Sequence, residues 1–281
     1  MTLNRRKVII QFLTASGEFK ELDGIEVRFD VAKFMSSVMN KATIDICNLA
    51  RSDIEFLTTY TSQYVAINQR KRIRLLAGYA DTGTGAALIF DGDIIEARPT
   101  NPPDIWLHCQ ALSGYYNNKD NISYSYIGET PATDIIKDTA DKLELSLVDG
   151  TIKAAENIKK LVNWEFTGPK TQIISELNQI GDYEIFEDDG KLIVTDYNSP
   201  RYDIDEVFID ESRGMIGIPN PDAVGVSLRV LLDNTLKIKQ RIYLQSDAIP
   251  SASGRYWIYE MHHKGDLRGN DFYTDIKARR M

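Results

Sequence analysis

Residues 259–279 read "YEMHHKGDLRGNDFYTDIKAR", and whether they make a chemical site or a hairpin decides what kind of chain this is. The stretch holds His262 and His263, two of the three histidines in the sequence, with aspartates and lysines close by. Adjacent residues of an extended strand leave on opposite faces, so these histidines do not share one metal ion. No cysteine or third histidine lies nearby to complete a tetrahedral set. Gly265, Asp266, Gly269 and Asn270 carry the residue chemistry of a tight turn. The segment reads as a hairpin, Tyr256 to Arg279, whose turn at Lys264–Asn270 lies exposed.

Outward from that hairpin the C-terminal part is strand-rich. "GVSLRVLL" (225–232), "IKQRIYLQ" (238–245) and "GRYWIYEMHH" (254–263) are strand-length runs separated by Asn, Pro, Gly and Asp clusters, the spacing of a small barrel or sandwich. The N-terminal part reads the same way. In "NKATIDICNLA" (40–50), Ala42, Ile44 and Ile46 alternate with Thr43, Asp45 and Cys47, the period of a half-buried strand. Ser52-Asp53-Ile54-Glu55 has capping-box spacing and predicts a short helix carrying Ile54, Leu57 and Tyr60. "RIRLLAGY", "ADTGTG" and "AALIFDGDIIEA" (72–97) predict a hairpin, with Gly83 and Gly85 supplying positive φ in the turn. Glycines that lead into a strand rather than a helix do not make a phosphate loop.

Between these parts the period changes to helical. Thr130 is expected to cap a helix with Pro131 at its first position and a stripe of Ile135, Ile136, Ala140 and Leu143. "TPATDIIKDTADKLEL" and "GPKTQIISELNQIGDY" share Pro-x-Thr-x-Ile-Ile-x-acid, starting at Pro131 and Pro169. Each runs on to a short strand and an Asp-Gly turn, at Asp149-Gly150 and Asp189-Gly190. Two helix-strand-turn units therefore build one small α/β unit.

With 281 residues the chain is long enough for two or three cores, and 43% hydrophobic residues mark it as folded. A net charge of −8 argues against a protein that grips nucleic acid by its phosphates. No apolar run reaches the roughly 20 residues of a membrane-spanning helix, and "MTLNRRKVIIQFLTAS" reads as a first strand rather than a signal peptide or membrane anchor. Cys47 and Cys109 are isolated, as buried thiols are, and His108 stands alone. "EIFEDDGKLIV" (184–194) lacks the spaced ligands of a calcium loop and reads as a β-turn. Asp91-Gly92-Asp93 and Asp205-Glu206 offer carboxylate pairs without a spacing rule. No hydrolase, zincin, Walker or dinucleotide fingerprint occurs. No catalytic, cofactor or metal residue is assigned.

Five stretches then follow one another as in phage tail baseplate hub proteins of the late control protein D kind. They are "NKATIDICNLA", "LLAGYADTGTGAALIFDGDI", "WEFTGPKTQIISELNQIGDYEIFEDDGKLIVTD", "GMIGIPNPDAVGVSLRVLL" and "HHKGDLRGNDFYTDIKA". The chain resembles that family over nearly its whole length, through the order of the motifs rather than any single one. The resemblance implies an α+β, mainly β fold in which two tube-like β-barrel domains, residues 1–112 and 206–281, flank an α/β insertion domain, residues 113–205. It implies a virion protein assembled in the host cytoplasm, without cofactor or reaction. Its partners would be two more copies in a homotrimer, a tail tube protein and a central spike protein, with DNA passing through the lumen unbound. An acidic lumen wall would repel that DNA. Phe34, Met35, Val38 and Met39 in "DVAKFMSSVMNK" (30–41) are candidates for an interface between subunits; an ordinary core segment is the alternative. The rival functions are a tail-associated cell-wall hydrolase and a receptor-binding tail-tip protein.

Overall fold

The computed structural model describes residues 5–35, 39–58, 71–115, 121–148, 150–152, 161–170 and 172–281. The N-terminal part contributes β1 (Arg6–Leu13), β2 (Phe19–Asp23), β3 (Val27–Phe34), β4 (Lys41–Cys47), α1 (Arg51–Leu57), β5 (Arg72–Tyr79), β6 (Ala86–Pro99) and β7 (Trp106–Leu112). The middle follows with β8 (Asn121–Ser125), β9 (Glu129–Thr130), α2 (Ala132–Lys142), β10 (Ser146–Leu147), β11 (Leu161–Val162), β12 (Glu165–Pro169), α3 (Gln172–Asn178), β13 (Tyr183–Asp188) and β14 (Lys191–Asp196). The C-terminal part adds β15 (Val207–Ile209), β16 (Met215–Pro221), β17 (Gly225–Leu231), β18 (Arg241–Leu244), β19 (Gly254–Asp266) and β20 (Phe272–Arg280).

β19 and β20 are the hairpin expected from residues 259–279, and they join the two ends of the chain. β20 runs along one side of β19. On the other side Gly254–Trp257 pair with β18, and Glu260–Asp266 pair antiparallel with β3 of the N-terminal part. A strand of 13 residues spans about 40 Å at roughly 3.4 Å per residue, enough to hold two partners end to end. The result is one 13-stranded sheet in the order β16-β17-β20-β19-β3-β4-β7-β6-β5-β1-β2, with β18 on β19 and β15 on β18.

The two tube-like barrels implied by the resemblance are therefore not closed barrels among the described residues. A strand has two edges, and both edges of β19 are occupied by strands of one continuous sheet. The N-terminal half curls without a closing ladder, and side chains bridge its gap. Arg6 Nη1 donates to the carbonyls of Asp266 and Gly269 at 2.8 and 2.6 Å. Its guanidinium lies 5.0 Å from the Phe272 ring, which also meets Tyr79 edge-on at 5.2 Å.

Alternation decides what each strand buries. Val27, Phe29 and Val31 join Ala42, Ile44, Ile46 and the inward residues of β1, β5, β6 and β7 in one core. A second core gathers Val226, Leu228 and Val230 with Ile258, Met261 and Ile276. In the middle segment α2 and α3 place Ile135, Ile136, Ile173 and Ile174 in a third core. The strands that follow the helices, β10 and β13, both pair with β14. Asp189 and Gly190 make the β13–β14 turn with φ of 52° and 75°, values that favour these residue types. Asp149 of the first unit lies outside the described residues. The β13–β14 pair is two-faced: Ile185, Leu192 and Val194 face the third core, while Phe186 and Ile193 enter the second.

Local details differ from the sequence reading. α1 starts at Arg51 with Ala50 as its N-cap and no side-chain cap, so Ser52 lies inside the helix rather than at its cap, and Asp53 in its first turn receives Lys20 Nζ at 2.7 and 2.8 Å. Tyr60 lies outside the described residues. α2 begins at Ala132 with Pro131 as cap, since Thr130 is held by β9 against Leu161. Of the two glycines in the β5–β6 turn only Gly85 has positive φ, 56°. No helix among the described residues is long and apolar enough to cross a membrane.

Candidate functional site

The alternation that fills the cores leaves a second face turned outward across β17, β20, β19, β3, β4 and β7. Registered rows cross it: Asp266 lies opposite Arg28, Arg28 opposite Asp45, and Asp45 opposite His108. The charges are paired. Arg28 Nε reaches Asp266 at 3.1 Å, Arg229 Nε reaches Asp275 at 2.6 Å, and Lys277 Nζ reaches Glu260 at 3.0 Å. His108 Nδ1 meets Asp45 at 2.5 Å. His262 stands between Asp30 at 3.8 Å and Glu260 at 3.2 Å. The facing Asp30 carboxylate, with help from Glu260 and against partial burial, raises its pKa above the ordinary histidine value. Such exposed pairs contribute little to stability, about 0–1 kcal/mol each. Their effect is to cancel charge, so this face is a mixed, balanced surface rather than an acidic one.

His263, on the other face of the strand as expected, is buried and bonds Thr274 Oγ1 through Nδ1 at 2.9 Å. Burial, with Lys33 and Lys237 nearby, holds it neutral well below the usual histidine range. Of the interface candidates, Phe34 ends β3 with its ring edge-on to His262 at 6.0 Å. Met35 donates its N–H to the Tyr259 carbonyl at 3.1 Å and packs on the second core. Met39 is half-buried, and Val38 lies outside the described residues. Both cysteines are free and buried; burial pushes the Cys109 thiol up to about 12. Asp91 is held by Arg72 at 2.6 and 2.7 Å and by Arg74 at 2.9 Å. Glu206 is paired with Arg255 at 3.2 Å.

A buried charged seam beneath the sheet carries no sequence motif. Lys33, 1% exposed, donates to Asp188 Oδ1 at 2.8 Å and Asp189 Oδ2 at 2.6 Å. Lys237 reaches the same Asp189 oxygen at 3.3 Å, and Asn40 Nδ2 donates to the Glu187 carbonyl at 3.3 Å. At the other end of β13–β14, the buried Lys239 donates to Thr195 Oγ1 at 2.8 Å and pairs with Glu184. The β13–β14 sheet is thus clamped at both ends by lysines from outside the middle segment. One local signal existed: in "VRFDVAKF" Lys33 occupies the position where the inward period Val27, Phe29, Val31 calls for another apolar residue.

The comparisons with known proteins bear on this arrangement. A family profile described as "Baseplate hub gp41" matches residues 7–278. The chain belongs to the baseplate hub gp41 family. Among solved structures, the hub chain is similar to the 43 kDa tail protein of prophage MuSo2 from Shewanella oneidensis. The identity is 10% and the TM-score 0.62, over 98% of each chain. A tail protein from Neisseria meningitidis MC58 matches at 9% identity and TM-score 0.65, over 97% of this chain and 96% of that one. The E. coli c3393 protein is described as a type VI secretion component structurally similar to T4 tail proteins gp27 and gp5. It matches at 8% identity and TM-score 0.54, over 91% of this chain and 73% of its own. These identities speak to the fold. A search of curated proteins finds no match. The hub fold shared with tail proteins is therefore the setting in which the outward sheet face and the seam act.

Proposed function

We propose that this chain is the structural hub subunit of a tail baseplate, three copies of which form a pseudo-hexameric ring joining the tail tube to a central spike. Residues 1–112 and 206–281 each act as one tube-like unit, so three chains offer six, and residues 113–205 form the insertion domain between them. The observation that carries this reading is the single sheet running through both halves: a strand shared between two units fixes their relative rotation, which a ring with regular spacing requires. The paired-charge face of that sheet suits a wall past which DNA moves, because balanced pairs offer phosphates no cationic track. Similarity to a type VI secretion component described as resembling T4 tail proteins gp27 and gp5 supports a place in a tail-like assembly. The hub needs no cofactor and performs no reaction; Asp91, a buried member of the candidate acids, is already neutralised by two arginines. Electron microscopy of the assembled baseplate, or of the protein mixed with its tube and spike partners, tests the proposal. Three copies per ring are expected, and any other number, or one tube-like unit per chain, overturns it.

A further inference from the structure

Three ion pairs cross the outward face of the sheet in register. Arg229 of β17 lies directly opposite Asp275 of β20, Lys277 of β20 opposite Glu260 of β19, and Asp266 of β19 opposite Arg28 of β3. Arg229 Nε and Nη2 reach the two Asp275 oxygens at 2.6 and 2.9 Å. Lys277 Nζ reaches both Glu260 oxygens at 3.0 and 3.1 Å, and Arg28 Nε reaches Asp266 at 3.1 Å. Both arginines are pinned a second time: Arg229 lies 3.7 Å from the centre of the Tyr273 ring and Arg28 4.3 Å from that of Trp106. The cations nevertheless stay open to solvent. The side chains of Arg28, Lys277 and Arg229 are 52%, 48% and 43% exposed, and no carboxylate is more exposed than its partner. The three rows cross β19 at Glu260, His262 and Asp266, a span of about 20 Å along the strand.

We infer that Arg229, Lys277 and Arg28 form a latent track for a duplex DNA backbone, and that Asp275, Glu260 and Asp266 silence it by giving each cation a fixed counterion. The inference rests on the proposed role of this face as a wall past which DNA moves. A cation binds DNA by displacing the small ions condensed on its phosphates. A cation already neutralised from the next strand brings no net charge and displaces none, and an arriving phosphate meets the carboxylate at the same place. Because the cations are half-exposed, pairing rather than burial is what keeps the face from holding DNA. Phosphate contacts carry no sequence information, so the unmasked track takes duplex of any sequence.

Asp275→Asn, Glu260→Gln and Asp266→Asn together, in the full chain, test the masking, with binding of a labelled DNA duplex followed by fluorescence anisotropy. Exposed pairs add little to stability, so the isosteric variant keeps its fold; Asp275→Asn with Glu260→Gln repeats the test without touching the β19–β20 turn. With three cations freed, affinity should fall about 40-fold between ~50 and ~200 mM salt, and with two about 12-fold, against no such binding in the natural protein. Adding Arg28→Gln, Lys277→Gln and Arg229→Gln to the triple variant should abolish the binding. Asp134→Asn, Asp141→Asn and Glu176→Gln, on exposed positions of α2 and α3, change the net charge equally and should give no gain. Natural protein that binds as tightly as the variants, folded variants that do not bind, an equal gain in the helix variant, or binding that survives loss of the three cations overturns the inference. The copy number of the ring is measured separately on the assembled baseplate, so either reading can fail while the other stands.

Discussion

Replacing Lys33 by methionine removes a charge while keeping a side chain of similar length. Lys33 and Asp188 are 1% and 3% exposed, and their contact at 2.8 Å spans 155 positions of sequence. Burial opposes the ammonium charge, but Asp188 and Asp189 outweigh it and hold its pKa above the ordinary lysine value. In Lys33→Met, Asp189 keeps Lys237, while Asp188 is left as a buried charge without a counterion. Removing one partner of a buried pair costs about 3–5 kcal/mol. For a chain of this size that is a thermal midpoint lower by about 10 °C. The orphaned Asp188 then acquires a raised pKa, so the deficit should shrink as pH falls from ~7 towards ~5. Adding Asp188→Asn removes the orphan charge and should restore about half of the loss or more. Thermal unfolding followed by tryptophan fluorescence, on the natural protein, the single and the double variant, measures all three effects. A single-variant loss below about 1 kcal/mol, or a double variant no better than the single, would refute the buried-clamp reasoning.

His263 is held neutral in the fold, so its contribution is present above pH ~6.5 and is lost as pH falls below it, by at most about 1.4 kcal/mol per unit. His263→Gln, which keeps an amide to bond Thr274, should lose about 1 kcal/mol less than the natural protein between pH ~6.5 and ~5.5 in urea melts. Gly225 lies where a Cβ would stand 2.0 Å from the Ala278 carbonyl oxygen on the paired strand. Gly225→Ala should therefore force β17 off β20 and cost about 1–3 kcal/mol, visible as a lower urea midpoint; an unchanged midpoint contradicts the close approach.

The sequence by itself determined the local faces. Ala42, Ile44 and Ile46 alternate because one side of β4 is buried, and the Ile-Ile pairs of α2 and α3 repeat because both helices cap one core. The turn chemistry around Asp266, Gly269 and Asn270 fixed the terminal hairpin, and the order of five weak motifs was enough to recognise the hub family. Alternation states which side of a strand faces inward and is silent on which strand lies beside it. The sharing of β19 between β18 and β3 follows from its length and from free edges that no local pattern names. That sharing turned two expected barrels into one sheet. Lys33 reads locally as a fault in an apolar period. Only when the chain brings Asp188 and Asp189 to it across 155 positions does it become a clamp, because a buried charge is tolerated only where its counterion arrives from elsewhere in the fold.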